Sequence, residues 1–80
     1  MIHFDEVTQR IKEILSKQKR EKNTKILDKD IALALNLNPQ YYAVMKKRKK
    51  IPYEAISHFS ASHKLNMNWI LIAQKPRYLT

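Results

Sequence analysis

The chain has 80 residues, the length of one small domain, and 44% of them are hydrophobic. Sixteen Lys and Arg against 7 Asp and Glu give a formal net charge of +9, so nucleic acids and anionic membranes are the first partner classes to consider. The lack of Cys excludes disulfides, thiol nucleophiles and Cys-based zinc sites. The lack of Gly excludes the usual phosphate-binding and dinucleotide-binding loops.

The sequence shows no secretory or membrane segment. Residues 1–5 contain no apolar stretch of the kind that a signal peptide carries. The longest apolar run covers only residues 69–73, whereas a bilayer-spanning helix needs about 20 residues. We therefore expect a cytoplasmic protein.

The first predicted helix covers residues 4–18, because apolar residues recur there at intervals of three and four. These residues are Phe4, Val7, Ile11, Ile14 and Leu15. Asp5 and Glu6 in the first turn and Lys17 in the last suit the helix dipole. The polar residues 19–25 that follow are predicted to form a loop.

Two short helices follow this loop. The first is predicted over residues 28–35, with Asp28 as its cap and Asn36 as a residue of positive φ at its end. The Asn38-Pro39 pair is typical of a helix start, so the next helix is predicted over residues 39–49. Its expected buried side chains are those of Tyr42 and Met45.

Two further helices complete the predicted fold. Pro52 begins a helix over residues 52–64, and Asn68 is expected to cap a last helix over residues 68–74. We expect the segment that follows to be frayed. The whole chain, residues 1–80, is thus predicted to be a single all-α domain, a compact bundle of five helices.

The second and third helices fit a helix-turn-helix. This motif needs a small residue in its first helix, here Ala32, and a turn residue that tolerates positive φ four positions later, here Asn36. The apolar residues expected to hold the two helices together are Ile31, Leu35, Leu37, Tyr42 and Met45.

Four features of the sequence carry a resemblance to a known family. LALNLNPQYYAVMKKRKKIPYEAI (residues 33–56) contains the Asn-Pro helix start, Arg48 three residues before an Ile-Pro pair, and the restart IPYE. LNMNWILIA (residues 65–73) contains the late motif LNMNW. On these features the chain resembles the helix-turn-helix domain of bacteriophage CI-type repressors, within the lambda-repressor-like fold. Asn36 stands where the family usually has Gly, and residues 73–75 replace the usual Gly-containing ending.

The resemblance implies that the third helix enters the DNA major groove with its N-terminal residues over base edges. With Tyr42 and Met45 inward, the expected base contacts are Gln40, Tyr41, Ala43, Val44 and Lys47. Gln40 is the best base reader, because its amide can donate and accept as adenine requires. The expected phosphate contacts are Lys25, Lys29, Asn38, Lys46, Arg48, Lys49 and Lys50. Plainer interpretations are that residues 46–50 are only a solvated helix end and that Tyr41 is a packing residue.

The sequence therefore predicts a sequence-specific double-stranded DNA-binding transcriptional regulator, of the phage or prophage repressor type, acting in the bacterial nucleoid. It would bind an inverted-repeat operator as a homodimer, with half-site centres about 34 Å apart. The last helix commonly carries subunit contacts in this fold, so Trp69, Ile70 and Ile72 are the expected dimer interface.

The leading alternative is a protein-interaction module on the same fold, either antitoxin-like or an adaptor that binds an anti-repressor. An anionic-membrane binder ranks last, because the apolar residues that it would need are used by the predicted core. RNA binding would suit the charge, but no stacking motif for it is present. Catalysis has little support, since Ser57 and His58 diverge on a helix and His58 and His63 lack a third ligand. We expect no metal, no cofactor and no small-molecule substrate.

Overall fold

The structure is a computed structural model that describes residues 2–18 and 25–79. These residues form five α-helices, namely α1 (Phe4–Gln18), α2 (Asp28–Ala34), α3 (Pro39–Arg48), α4 (Tyr53–Ser62) and α5 (Met67–Ile72). Every helix begins and ends within two residues of its predicted bounds, and an isolated bridge between Leu65 and Tyr78 is the only β-pairing in this part of the chain. The all-helical prediction is confirmed. The predicted loop lies mostly in residues 19–24, outside the described residues.

The core forms because each helix turns an apolar face toward the others. Helix α1 packs against α2 and α5, α2 packs against α3, and α4 packs against α5. The buried cluster consists of Phe4, Val7, Ile11, Ile14, Ile31, Ala32, Leu35, Tyr42, Ile56, Phe59, Leu65, Trp69, Ile70 and Leu71. Burial of such side chains contributes roughly 1.5–3 kcal/mol each for the larger ones. Helix α1, which packs against both α2 and α5, links the α2–α3 pair to the α4–α5 pair.

Two helix caps differ from the prediction. Asp28 does not cap α2; the carboxylate of Asp30 accepts a hydrogen bond from the backbone N–H of Leu27 at 2.8 Å instead. Helix α5 is capped by Asn66, whose Oδ1 accepts from the N–H of Asn68 at 3.1 Å. In each case a neighbouring polar residue supplies the oxygen that accepts from a backbone N–H at the helix start.

Helices α2 to α5 of this glycine-free chain are each followed by a residue in the left-handed region. Asn36 has φ 56°, as predicted, and Lys49, Lys64 and Ala73 have φ values of 56°, 55° and 60°. Each follows the C-terminal end of a helix, where this conformation satisfies the last carbonyl groups. The turns that usually require Gly are therefore made by Asn, Lys and Ala.

The C-terminal segment is not frayed, contrary to the prediction. The N–H of Asn66 donates to the carbonyl of Arg77 at 2.9 Å, and the N–H of Leu79 donates to the carbonyl of Lys64 at 3.0 Å. The Arg77 guanidinium lies 4.3 Å from the centre of the Trp69 ring. These contacts fix the segment against α5. None of the helices in the described ranges has the length and apolar composition needed to cross a bilayer.

Candidate nucleic-acid interface

Helix α3 separates its side chains into an inward and an outward face. On the inward face Tyr42 is 2% exposed and Met45 is 8% exposed, as predicted. On the outward face Tyr41 is 54% exposed and Val44 is 48% exposed. Gln40, Ala43 and Lys47 are exposed as well. All five residues expected to contact bases are thus accessible on one helix.

The connection between α2 and α3 fixes the direction of this face. Ala32 is fully buried, so its small side chain lets α3 approach α2 closely. Asn36 turns the chain at positive φ, and the N–H of Leu37 then donates to the carbonyl of Ala32 at 2.8 Å. The side-chain oxygen of Asn38 caps α3 by accepting from the N–H of Gln40 at 2.8 Å. The side chain of Asn38 is thus used for capping, and a phosphate could bind only its amide nitrogen, which is the donor of this group.

The cations at the C-terminal end of α3 fall into two groups. The ammonium of Lys46 bonds the carboxylate of Asp28 at 2.6 Å, and that of Lys49 bonds Asp5 at 2.8 and 3.0 Å. The hydrogen bond from Lys49 holds the pKa of Asp5 below its usual value. The second group comprises the side chains of Lys47, Arg48 and Lys50, which are exposed and form no ion pair with any residue that the structure describes.

The phenol of Tyr42 lies between these ion pairs and the core. Burial, followed by the charges of Asp28 and Asp5, raises the pKa of Tyr42 to about 12. Its ring is 6.1 Å from that of Phe4. Tyr42 therefore connects the apolar packing of α3 with the polar contacts at the junction of α1, α2 and α3.

Other predicted phosphate contacts lie at the start of α2, where Lys25 and Lys29 are both exposed. Leu33 shares the Lys29 face of α2, four residues further on, and is 80% exposed, which the sequence analysis missed. Because Lys29 was expected to point outward, its helical spacing from Leu33 could have predicted that Leu33 is exposed.

A shallow groove runs beside the outward face of α3. Its volume is about 470 Å³, and Tyr41 and the half-exposed Tyr53 both line it, with Leu37 and Ile51 among the other lining residues. Tyr53 was not predicted as a site residue, although it lies in the IPYE segment directly after the basic run. Tyr53 adds a second tyrosine, besides Tyr41, next to the outward face of α3.

The predicted dimer interface needs correction. Trp69 is 7% exposed and Ile70 is fully buried within the chain, because α5 lies between α1 and α4. The Arg10 guanidinium also donates to the carbonyl of Ile70 at 2.9 Å. Of the three predicted residues only Ile72, which is 53% exposed, is accessible to a second subunit.

Comparison with protein-family models, with curated proteins and with solved structures finds no match to this chain.

Proposed function

We propose that this protein is a sequence-specific double-stranded DNA-binding regulator whose helix α3 enters the major groove. The observation that carries the proposal is the separation of faces on α3: Tyr42 and Met45 are buried, whereas the uncharged Gln40 and Val44 are exposed. DNA recognition helices place polar and small apolar residues over base edges and cations beside phosphates.

Each outward residue has a chemical role in this proposal. The amide of Gln40 pairs with adenine N6 and N7, and the small side chains of Ala43 and Val44 contact thymine methyl groups. Tyr41 contacts a phosphate or a thymine methyl, and Lys47 reaches guanine or the backbone. Lys29 on α2 and Arg48 at the end of α3 are among the residues that contact phosphates. In this arrangement α2 and α3 act as a helix-turn-helix of the lambda-repressor-like kind.

The formal charge of +9 favours association with duplex DNA of any sequence, so that specificity has to come from base contacts. We further propose that a homodimer binds an inverted repeat with half-site centres about 34 Å apart, one turn of the duplex. Occupation of promoter DNA would then repress transcription, as phage repressors do. Ile72, an exposed apolar residue of α5, is where a subunit contact would start.

Selection of bound duplexes from a random library tests this proposal. We expect an enriched palindromic consensus for the unmodified protein. Gln40→Ala should lose preference at one base position in each half-site, whereas Gln9→Ala, an exposed glutamine on α1, should enrich the same consensus as the unmodified chain. Failure of the unmodified protein to enrich any motif would overturn the proposal.

A second candidate function is a protein-interaction module. Exposed apolar side chains near the C-terminal end favour it, since Ile72 is 53% and Leu79 is 67% exposed. The same selection discriminates the two functions, because an adaptor that works through this region would enrich no DNA motif.

A further inference from the structure

Two lysines at the end of α3 are bonded to carboxylates of two other helices. Lys46 contacts Asp28 at the start of α2, and Lys49 contacts both oxygens of Asp5 at the start of α1. The partners are 18 and 44 residues apart in the sequence. These ion pairs therefore join the last turn of α3 to both of its neighbouring helices.

The carboxylates offer the lysines the chemistry that a phosphate would offer. A carboxylate oxygen, like a phosphate oxygen, accepts a short charge-assisted hydrogen bond from an ammonium group. The Lys49 ammonium also lies 5.9 Å from the centre of the Phe4 ring, so its side chain reaches the first turn of α1. By contrast, no carboxylate in the described ranges pairs with the side chain of Arg48 or Lys50.

We propose that Asp5 and Asp28 are positioning residues that take the place of phosphate for Lys49 and Lys46, keeping these two lysines on the protein when it binds DNA. This inference rests on the proposed function. It assigns the phosphate contacts at the end of α3 to Arg48 and Lys50 and removes Lys46 and Lys49 from the contacts expected from the sequence. The two ion pairs orient α3 and reduce affinity for DNA of any sequence. Base contacts therefore supply a larger share of the binding free energy at the specific site.

The salt dependence of DNA affinity distinguishes a lysine that contacts a phosphate from one that stays paired with a carboxylate. Each cation that neutralises a phosphate contributes about 0.9 to the slope of log K against log salt concentration. A lysine that stays on its carboxylate releases no counterion from DNA and contributes nothing to this slope. The exposed ion pairs are weak as stabilising interactions, with side chains between 48% and 74% exposed, so their removal should leave the fold intact.

The test measures the affinity of each variant for a random-sequence duplex by fluorescence anisotropy over a series of KCl concentrations. Four substitutions remove one positive charge each: Lys46→Gln, Lys49→Gln, Arg48→Gln and Lys50→Gln. We expect Arg48→Gln and Lys50→Gln to make this slope shallower by about 0.9 per protomer. We expect Lys46→Gln and Lys49→Gln to leave it unchanged. Thermal unfolding of each variant checks that the fold is kept.

The converse variants remove the carboxylates. Asp5→Asn and Asp28→Asn should each free one lysine, steepen the slope by about 0.9 per protomer and tighten binding at low salt. Glu6→Gln makes the same charge change on α1, where the carboxylate is 3.9 Å from the guanidinium of Arg10, which also donates to the carbonyl of Ile70 at 2.9 Å. We expect this control to leave the slope unchanged.

The outcomes distinguish the inference from the proposed function. If Lys46→Gln and Lys49→Gln lower the slope as much as Arg48→Gln and Lys50→Gln do, the lysines leave their carboxylates for DNA and the inference is wrong, while DNA binding stands. If the unmodified protein binds no duplex at any salt concentration, both are overturned. If Asp5→Asn disturbs folding, the four cation variants still decide the question.

Discussion

The two faces of α3 show how one helix of ten residues divides its sequence between folding and recognition. The inward side chains, Tyr42 and Met45, are buried, and their identity is dictated by packing. The outward side chains, such as those of Gln40, Val44 and Lys47, are exposed to solvent, so the stability of the fold does not dictate them. A ligand that contacts the outward face can therefore be recognised without cost to the core.

The largest expected effect is on stability. Tyr42→Ala should lower the free energy of unfolding by about 3–5 kcal/mol, because it leaves a cavity where the ring packs against Phe4. Its neighbour provides the control: Tyr41→Ala should change the free energy of unfolding by only about 0.5 kcal/mol. Urea unfolding of both variants checks this, and equal losses would mean that the two faces are not separated as described.

The second prediction concerns pH. Because the pKa of Tyr42 is raised to about 12, the folded protein keeps its phenol neutral after an unfolded tyrosine with a pKa of 10.0 has ionised. The resulting stability, roughly 2–3 kcal/mol, is fully present below pH 10 and is lost as the pH rises through about 12. Phenolate absorbance should show one step near pH 12 that is missing from Tyr42→Phe. If Tyr42→Phe instead lost absorbance change near pH 10, the pKa of an unfolded tyrosine, the burial of this group would be contradicted.

The third prediction concerns the outward face. Gln40→Ala should cost about 1–3 kcal/mol of discrimination at one base pair and leave binding at other positions unchanged. Affinities for the selected operator and for its single-base variants measure this cost. A uniform loss on all sequences would show that Gln40 does not read a base.

The smallest effect is expected at the turn between α2 and α3, where Asn38 caps α3. Asn38→Ala removes the side-chain cap of α3 and should lower the free energy of unfolding by about 1 kcal/mol. Asn38→Ser, which keeps a capping oxygen, should recover most of this loss. If both variants were equally destabilised, the cap would not be the reason for Asn38.

Much of this arrangement could be predicted from the sequence, because helices, caps and buried faces depend on residues close together in the chain. The spacing of Ile11 and Ile14, the positive φ of Asn36 and the inward position of Tyr42 all follow from such local patterns. The ion pair between Asp5 and Lys49 could not be predicted in this way, since it depends on how α1 meets α3 across 44 residues.

The errors have the same origin. Ile70 was expected at an interface because the last helix commonly carries subunit contacts in the fold that the chain resembles. A helix of six residues shows too little periodicity to reveal that the Ile70 side is covered. The order of the C-terminal segment depends on hydrogen bonds from Asn66 to the carbonyls of Gln74 and Pro76. These bonds join residues 8 and 10 positions apart, so no local sequence pattern predicts them.

The most direct test of the central claim is a titration of the isotope-labelled protein with a duplex from the enriched pool, followed through backbone amide chemical shifts. We expect the largest changes at residues 38–48 and around Lys29, with small changes in α5. Changes concentrated on residues 64–79, with the amides of α3 unaffected, would contradict the assignment of α3 as the DNA-reading helix.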